Sequence, residues 1–492
     1  MAFRGKWYEP MKRFLFYDIE TSGLSPAFDQ VLTFACIQTD TDLNELSREI
    51  ITVKLRPDVV PSPGAFLTHG LTPEELETGI TEYQAALKIH RLFNTPDTIS
   101  IGYNSLGFDD EFLRFLFYRN LLDPYSHQYA NGCSRMDLLP VAVIYRLFCE
   151  HILIWPLLEN GKSTLKLEYL SRENRFEVSG KAHEAMADVE ALLSLARVFQ
   201  REKDIWNYVL GFFDKQVDLG RVHNLKKPYS VQNIEFELGL MVSVSFGADL
   251  NYIAPVLHIG ASVPYKNQSL WVRLDKPDLL DTVDGELQIY DFFVIRKRPG
   301  DQLLVLPCLD RFWARLTPEA LAICQKNIDI LKKDQGLFLK TISYHKSFKY
   351  PDVPDIDPDA DLYQGGFFSW DEKREIALFH QAEPGTKLKV CNTFGSSRVR
   401  TLALRVLARN FGLPVGECPE FAAHLKKLTG GDSQLIVKGY KNDGKFTCTQ
   451  AVAELDKIEL KGLEMLDKEQ RMMVVWLKLH ISQLSSFLAE PF

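Results

Sequence analysis

The sequence predicts an α/β protein in three parts, and three observations carry that reading. Strand-like runs crowd the first 55 residues and then alternate with helical ones, which implies a mixed sheet flanked by helices over residues 1–202. From 203 to about 350 the texture turns to short β-like runs, and from 351 to 492 helical periodicity follows a segment rich in Pro and Asp. A chain of 492 residues suits about three domains.

Taken in order, KRFLFYDIET at 12–21 and VLTFACIQT at 31–39 read as strands, rich in aromatic and β-branched residues, and EIITVKL at 49–55 as a third. RPDVVPSPGAF, punctuated by Pro and Gly, reads as a loop, and EYQAALKIHRLF as a helix. TISIGYNS at 98–105 is a fourth strand leading into the helix-like DDEFLRFLFYRN. MDLLPVAVIYRLFCEH, TLKLEYLSREN and HEAMADVEALLSLARVFQ are further helices. LMVSVSF, NYIAPVLHI, SLWVRL and FFVIRK supply the β texture of the middle part, which TPEALAICQKNIDILKK closes with a helix. KYPDVPDIDPDADLYQGG reads as a linker. Beyond it, Ser369 and Glu372 have the spacing of a capping box.

Composition narrows the class. With 46 % hydrophobic and 25 % charged residues, no apolar run of about 18 residues and no apolar leader, the chain is expected to be cytoplasmic and to have no membrane contact. The eight cysteines stand singly without a C-x-x-C pair, which argues against a zinc site or a disulfide framework. A net charge of −8 does not announce a nucleic-acid binder, yet a local basic stripe is what phosphate binding needs.

The chemistry-bearing residues fall in three places. In FYDIETSGL, Asp18 and Glu20 lie two apart on a strand and so share a face, tolerable when a cation sits between them. In GYNSLGFDDE, Asp109 and Asp110 open a helix, where one acid can cap and the other can face a metal. In KAHEAMADVEALLSL, His183 and Asp188 are five residues apart, about 140° around a continuous helix. They converge more easily if His183 precedes the helix proper, and Ala182, Ala185 and Ala187 would permit close approach.

D-x-E-T, N-x-x-x-F-D and H-x-x-x-x-D in this order resemble the DEDD exonuclease superfamily in its histidine subgroup. Glu184 stands where the tyrosine subgroup would place its Tyr. GYNSLGFDDEFLRFLFYRNLLDPY, SRMDLL at 134–139, AHEAMADVEA, DLYQGGFFS at 361–369 and ARNF at 408–411 extend the resemblance to bacterial exonuclease I over nearly the whole chain. The resemblance implies a ribonuclease H-like exonuclease domain, then a Src-homology-3-like β-barrel, then an all-helical domain, clamped around single-stranded DNA. It also implies two Mg²⁺ ions, with Mn²⁺ able to substitute. Asp18 would bridge both ions, Glu20 and Asp188 would hold the water-activating one, Asp109 would support the second, and His183 would be the general base. Asp109 is favoured over Asp110 because it follows Phe108 as in the family pattern.

The implied activity is processive 3′-to-5′ degradation of single-stranded DNA to 5′-mononucleotides in DNA repair and recombination, by a monomer. The implied partner is the acidic, Phe-terminated tail of single-stranded DNA-binding protein. Candidate DNA contacts are Thr21, Phe108 and the helical row Arg398, Arg405 and Arg409, which a solvated basic face would equally explain. Phe112, Tyr252 and Trp271 could stack on bases or fill cores. This chain itself ends in Pro491 and Phe492, without an acidic run. An exoribonuclease or proofreading enzyme with the same core, and a nuclease-dead DNA-binding protein, are the competing readings.

Overall fold

The computed structural model describes residues 12–179, 184–277, 279, 282–283, 286–287, 293–333, 335–430 and 436–489. Ala182, His183, Pro491 and Phe492 lie outside them. The first sheet has five strands: β1 (Arg13–Thr21), β2 (Val31–Thr39), β3 (Glu45–Thr52), β4 (Thr98–Gly102) and β5 (Ser134–Asp137), in the order β3-β2-β1-β4-β5. β1, β2 and β3 pair antiparallel, whereas β4 runs parallel to β1, and β5 to β4. The sheet is therefore mixed, as expected.

Alternation along β1 explains why its sequence is almost continuously apolar. Phe14 and Phe16 pack with α5 (Leu138–Phe148) and α7 (Ala185–Gln200). Leu15, Tyr17 and Ile19 pack on the opposite side with α3 (Glu82–Phe93) and α4 (Asp109–Arg119). A strand covered on both faces has no solvent face to mark with polar residues. Against that background, Asp18 and Glu20 are conspicuous.

Several expectations need correction. The loop expected after residue 56 contains α1 (Pro63–His69) and is followed by α2 (Pro73–Thr78), both with Pro in the first turn, where its missing N–H costs nothing. β5, of sequence SRMD, is too short and polar to show a strand pattern; pairing with β4 decides it. α6 (Leu167–Glu173) falls within its expected run. The middle region opens with α8 (Lys203–Leu210) and α9 (Lys215–His223) before its β texture begins.

That texture forms a second, antiparallel five-stranded sheet, ordered 294–297, 269–273, 253–261, 238–242 and 304–307. The helix Pro318–Lys333 follows. The C-terminal part is helical, with Ser369 and Glu372 forming the capping box of Trp370–Gln381. The segment read as a linker, 349–366, is instead docked, with Asp357 and Asp359 in buried ion pairs. Pro and Asp there shape a fixed turn rather than a flexible tether.

The parts share cores. Leu240, Val242, Ile253 and Leu306 of the second sheet join the cluster around α5 and α7. Phe115, Tyr118 and Leu121 join the cluster of the C-terminal helices. All eight cysteines are free, and among the described residues no helix is long and apolar enough to cross a membrane.

Candidate active site

β1 carries Asp18 and Glu20 out of the sheet beneath the N-terminal turn of α7. A register irregularity between Glu20 and Thr21 ends regular pairing with β2 there, a device that re-aims side chains beside active sites. Asp188 sits in the first turn of α7, where the helix dipole favours a negative charge. The carboxylates of Asp18, Glu20 and Asp188 each place an oxygen within 4.8 Å of the others, and all three residues remain partly open to solvent.

Such an arrangement is electrostatically unfavourable by itself. Burial, then the charges of Asp109, Glu20 and Asp188, push the Asp18 carboxyl well above the usual range. Burial, then Asp188 and Asp109, raise Glu20 to about 8. Asp109 is raised to about 8, mainly by burial, with Asp137 and Asp110 contributing. Three acids pushed toward their neutral forms, crowded against Asp188, are a donor set that fits hard divalent cations, whose charge would relieve the repulsion. Sequence spacing could not show the convergence; β1 and α7 create it.

The two acids opening α4 are sorted by their surroundings. Asp109 lies close enough for its charge to act on Asp18 and Glu20. Asp110 is fully buried and meets Arg114 at 2.7 Å, Arg135 at 2.5 Å and His127 at 3.1 Å. The Arg114 and Arg135 charges, with the hydrogen bond from His127, overcome its desolvation and hold its carboxyl well below the usual range. The preceding loop is tight. A Cβ on Gly102, at the end of β4, would collide with Ser105. Asp137, at the end of β5, accepts backbone N–H bonds from Asn104 (2.9 Å), Leu106 (3.2 Å) and Leu139 (2.9 Å), tying the loop to the start of α5. Sequence reasoning assigned no role to Asp137, Arg135 or His127. SRMDLL held two of them in view, but only the fold shows what they touch.

The remaining candidates separate by burial. Thr21 is buried and its hydroxyl donates to the Gly23 carbonyl at 2.8 Å. Phe108 is half-buried, with its ring 4.8 Å from that of Phe112, which is fully buried. Trp271 is fully buried, its indole N–H donating to Ser269, and Tyr252 is also buried. These three buried rings fill cores.

Arg405 and Arg409 face the protein rather than solvent. Arg405 pairs with Asp357 (2.6 Å) and Asp359 (2.8 Å), and Arg409 with Asp359 (2.5 Å) and Asp58 (2.7 Å). Burial removes both from contact with DNA, and the solvated-face reading fails with it. Arg398 pairs with Glu372 at 3.0 Å, donates to the Gly365 carbonyl at 2.6 Å and covers the Phe368 ring, so its charge is largely engaged.

The chain is similar to known nucleases. The RNase_T exonuclease family pattern matches residues 15–196. Exodeoxyribonuclease I of Escherichia coli K12 is 30 % identical over 474 residues, covering 91 % of this chain and 95 % of that protein. The crystal structure of E. coli exonuclease I in complex with a dA16 oligonucleotide superposes with a TM-score of 0.80 at 26 % identity, over 96 % of this chain and 100 % of that one. The structure of SSB/exonuclease I in complex with the inhibitor CFAM gives 0.78 at 25 % identity, over 96 % and 100 %. With a five-stranded mixed sheet, converging carboxylates and similarity along almost its full length, the chain belongs to the exodeoxyribonuclease I family of nucleases.

Proposed function

We propose that this enzyme removes 5′-mononucleotides processively from the 3′ end of single-stranded DNA, in DNA repair and recombination, using two Mg²⁺ ions. The observation that carries the reading is the convergence of Asp18, Glu20 and Asp188, with Asp109 close enough for its charge to act on Asp18 and Glu20. Asp18, Glu20 and Asp188 would hold one ion, and Asp18 and Asp109 the other. When bound, such ions acidify water and stabilise charge on the leaving oxygen.

The protein's own groups do the rest. The carboxylates orient the site, being fixed on a strand and two helix N-termini. Asp137 and the Asp110 cluster hold the loop and helix that present Asp109. His183 would accept the proton of the attacking water, a task for which carboxylates engaged with cations are poorly suited.

Single-stranded DNA as the substrate is supported by the relative crystallised with an oligonucleotide, and single-stranded DNA-binding protein as a partner by the relative crystallised with SSB, whose acidic tail would be the segment bound. A one-chain clamp acting as a cytoplasmic monomer needs no second copy. The decisive experiment is digestion of 5′-labelled single-stranded DNA, duplex DNA and RNA of one sequence with Mg²⁺. Shortening from the 3′ end of the single-stranded DNA alone, abolished by EDTA or a 3′ block, is expected. Stable full-length DNA under the permissive condition would refute the reading, and faster loss of RNA would reassign the substrate.

A further inference from the structure

Asp109 has an unfavourable position. Its charge lies near those of Asp18 and Glu20, and like charges would drive the first turn of α4 away from the site. Phe108 occupies the N-cap and offers no side-chain hydrogen bond, so beyond the Ile19 and Asp109 backbone N–H groups that the Asp109 carboxylate accepts from, the cap adds little resistance. Resistance comes from the next residue. Adjacent side chains on a helix diverge by about 100°, so when Asp109 faces the cluster Asp110 faces away from it.

Asp110 is clamped from three directions. Arg135 comes from the edge strand β5, His127 from the short turn Ser126–Gln128, and Arg114 from the next turn of α4 itself. The Asp110 N–H also donates to the Ser105 carbonyl at 2.8 Å. Arg114 in turn pairs with Glu111, and its Nη1 donates to the Tyr363 hydroxyl at 3.3 Å. That hydroxyl donates to the Glu111 carboxylate. Tyr363 belongs to the docked segment of the C-terminal part, 252 residues from Glu111.

We propose that Asp110 is a positioning residue for hydrolysis: locked by Arg114, Arg135 and His127, it fixes the first turn of α4 so that Asp109 is held toward Asp18, Glu20 and Asp188. Tyr363 extends the lock to the C-terminal part. The proposal rests on the two-ion reading above and adds the group that keeps its fourth carboxylate in place. Neither Asp110 nor Arg135 touches the reacting atoms.

The test measures turnover, KM for single-stranded DNA and the Mg²⁺ concentration giving half-maximal rate, for the full-length parent, Asp110→Asn, Arg135→Ala and Arg135→Lys. Disturbed support of a ligand costs about 10- to 100-fold in activity or ion affinity. Asp110→Asn is therefore expected to lose turnover by about that factor and to need more Mg²⁺, with KM for DNA unchanged. Arg135→Lys should recover most of what Arg135→Ala loses. A folded Asp110→Asn enzyme with parental rate and Mg²⁺ demand overturns the proposal, as does a loss of rate at parental Mg²⁺ demand. If Asp110→Asn does not fold, the Arg135 pair decides: parental behaviour of Arg135→Ala, or equal losses in both variants, overturns it. Asp18→Asn serves as the separate control, because full activity there would sink the two-ion reading itself.

Discussion

Arg409 of the helix Ser397–Asn410 donates to Asp58 of the nuclease part across 2.7 Å, 351 residues away in sequence, with both side chains about 1 % exposed or less. Asp359 shares the same guanidinium, and Lys445 approaches Asp58 at 3.2 Å. The pair joins the first and last parts of the chain where neither charge can reach water. Removing Arg409 takes one cation from two buried carboxylates, leaving Asp58 to Lys445 and Arg56 and Asp359 to Arg405.

Arg409→Ala is accordingly expected to destabilise the protein by up to about 3–5 kcal/mol, the cost of a buried charge left without a partner. Denaturant titration would show this as a lowered midpoint. Because Arg409 does not meet solvent, the salt dependence of DNA binding should stay parental, whereas loss of a phosphate contact would reduce the slope by about 1. A reduced slope with unchanged stability would return Arg409 to the DNA surface.

His183→Ala should lower turnover by about 10²–10⁴-fold, the range for loss of a general base. Thermal stabilisation by Mg²⁺ should survive, since the carboxylates remain. Asp188→Asn should lose both properties. Melting curves with and without Mg²⁺, set beside single-turnover rates, distinguish the two roles.

Ion removal should also register in stability. The repulsion among Asp18, Glu20, Asp109 and Asp188 is relieved by a cation, so EDTA should lower the melting temperature as well as stop digestion. At 100 times its dissociation constant an ion adds about 2.7 kcal/mol. Asp18→Asn removes one repelling charge and one ligand, and is expected to melt higher than the parent in EDTA and to gain less from Mg²⁺.

Glu82 predicts the behaviour in acid. Burial alone would raise its carboxyl, but Arg119 and Arg56, each within 2.8 Å, hold it at about 2, below its ordinary 4.5. A depressed folded value means that the stabilisation is complete above pH 4.5 and is lost as pH falls toward 2. Stability measured between pH 5 and 3 should decline, and Glu82→Gln should flatten that part of the profile. An equally steep decline in the variant would place the acid sensitivity elsewhere.

Much of this was legible before the fold was known. Alternation placed Asp18 and Glu20 on one side of β1, because a strand's period is two whatever surrounds it. The long helices were readable for a related reason: α3 and α4 repeat their apolar positions over three turns. The short elements were not, since β5 and α1 have too few residues to establish a period and are decided by what they pair with or pack against.

The side-chain assignments divide along the same line. The sequence by itself determined which residue types were available, that Asp18 and Glu20 would point together, and that Arg405 and Arg409 would share a helical face. Only the tertiary structure decided what lay opposite them: Asp188 in the first turn of α7, Arg135 and His127 around Asp110, and Asp58, Asp357 and Asp359 around the two arginines. A local repeat fixes the direction of a side chain relative to its own backbone. Its partner, and with it whether a charge meets solvent, another charge or a cation, depends on contacts between segments tens to hundreds of residues apart.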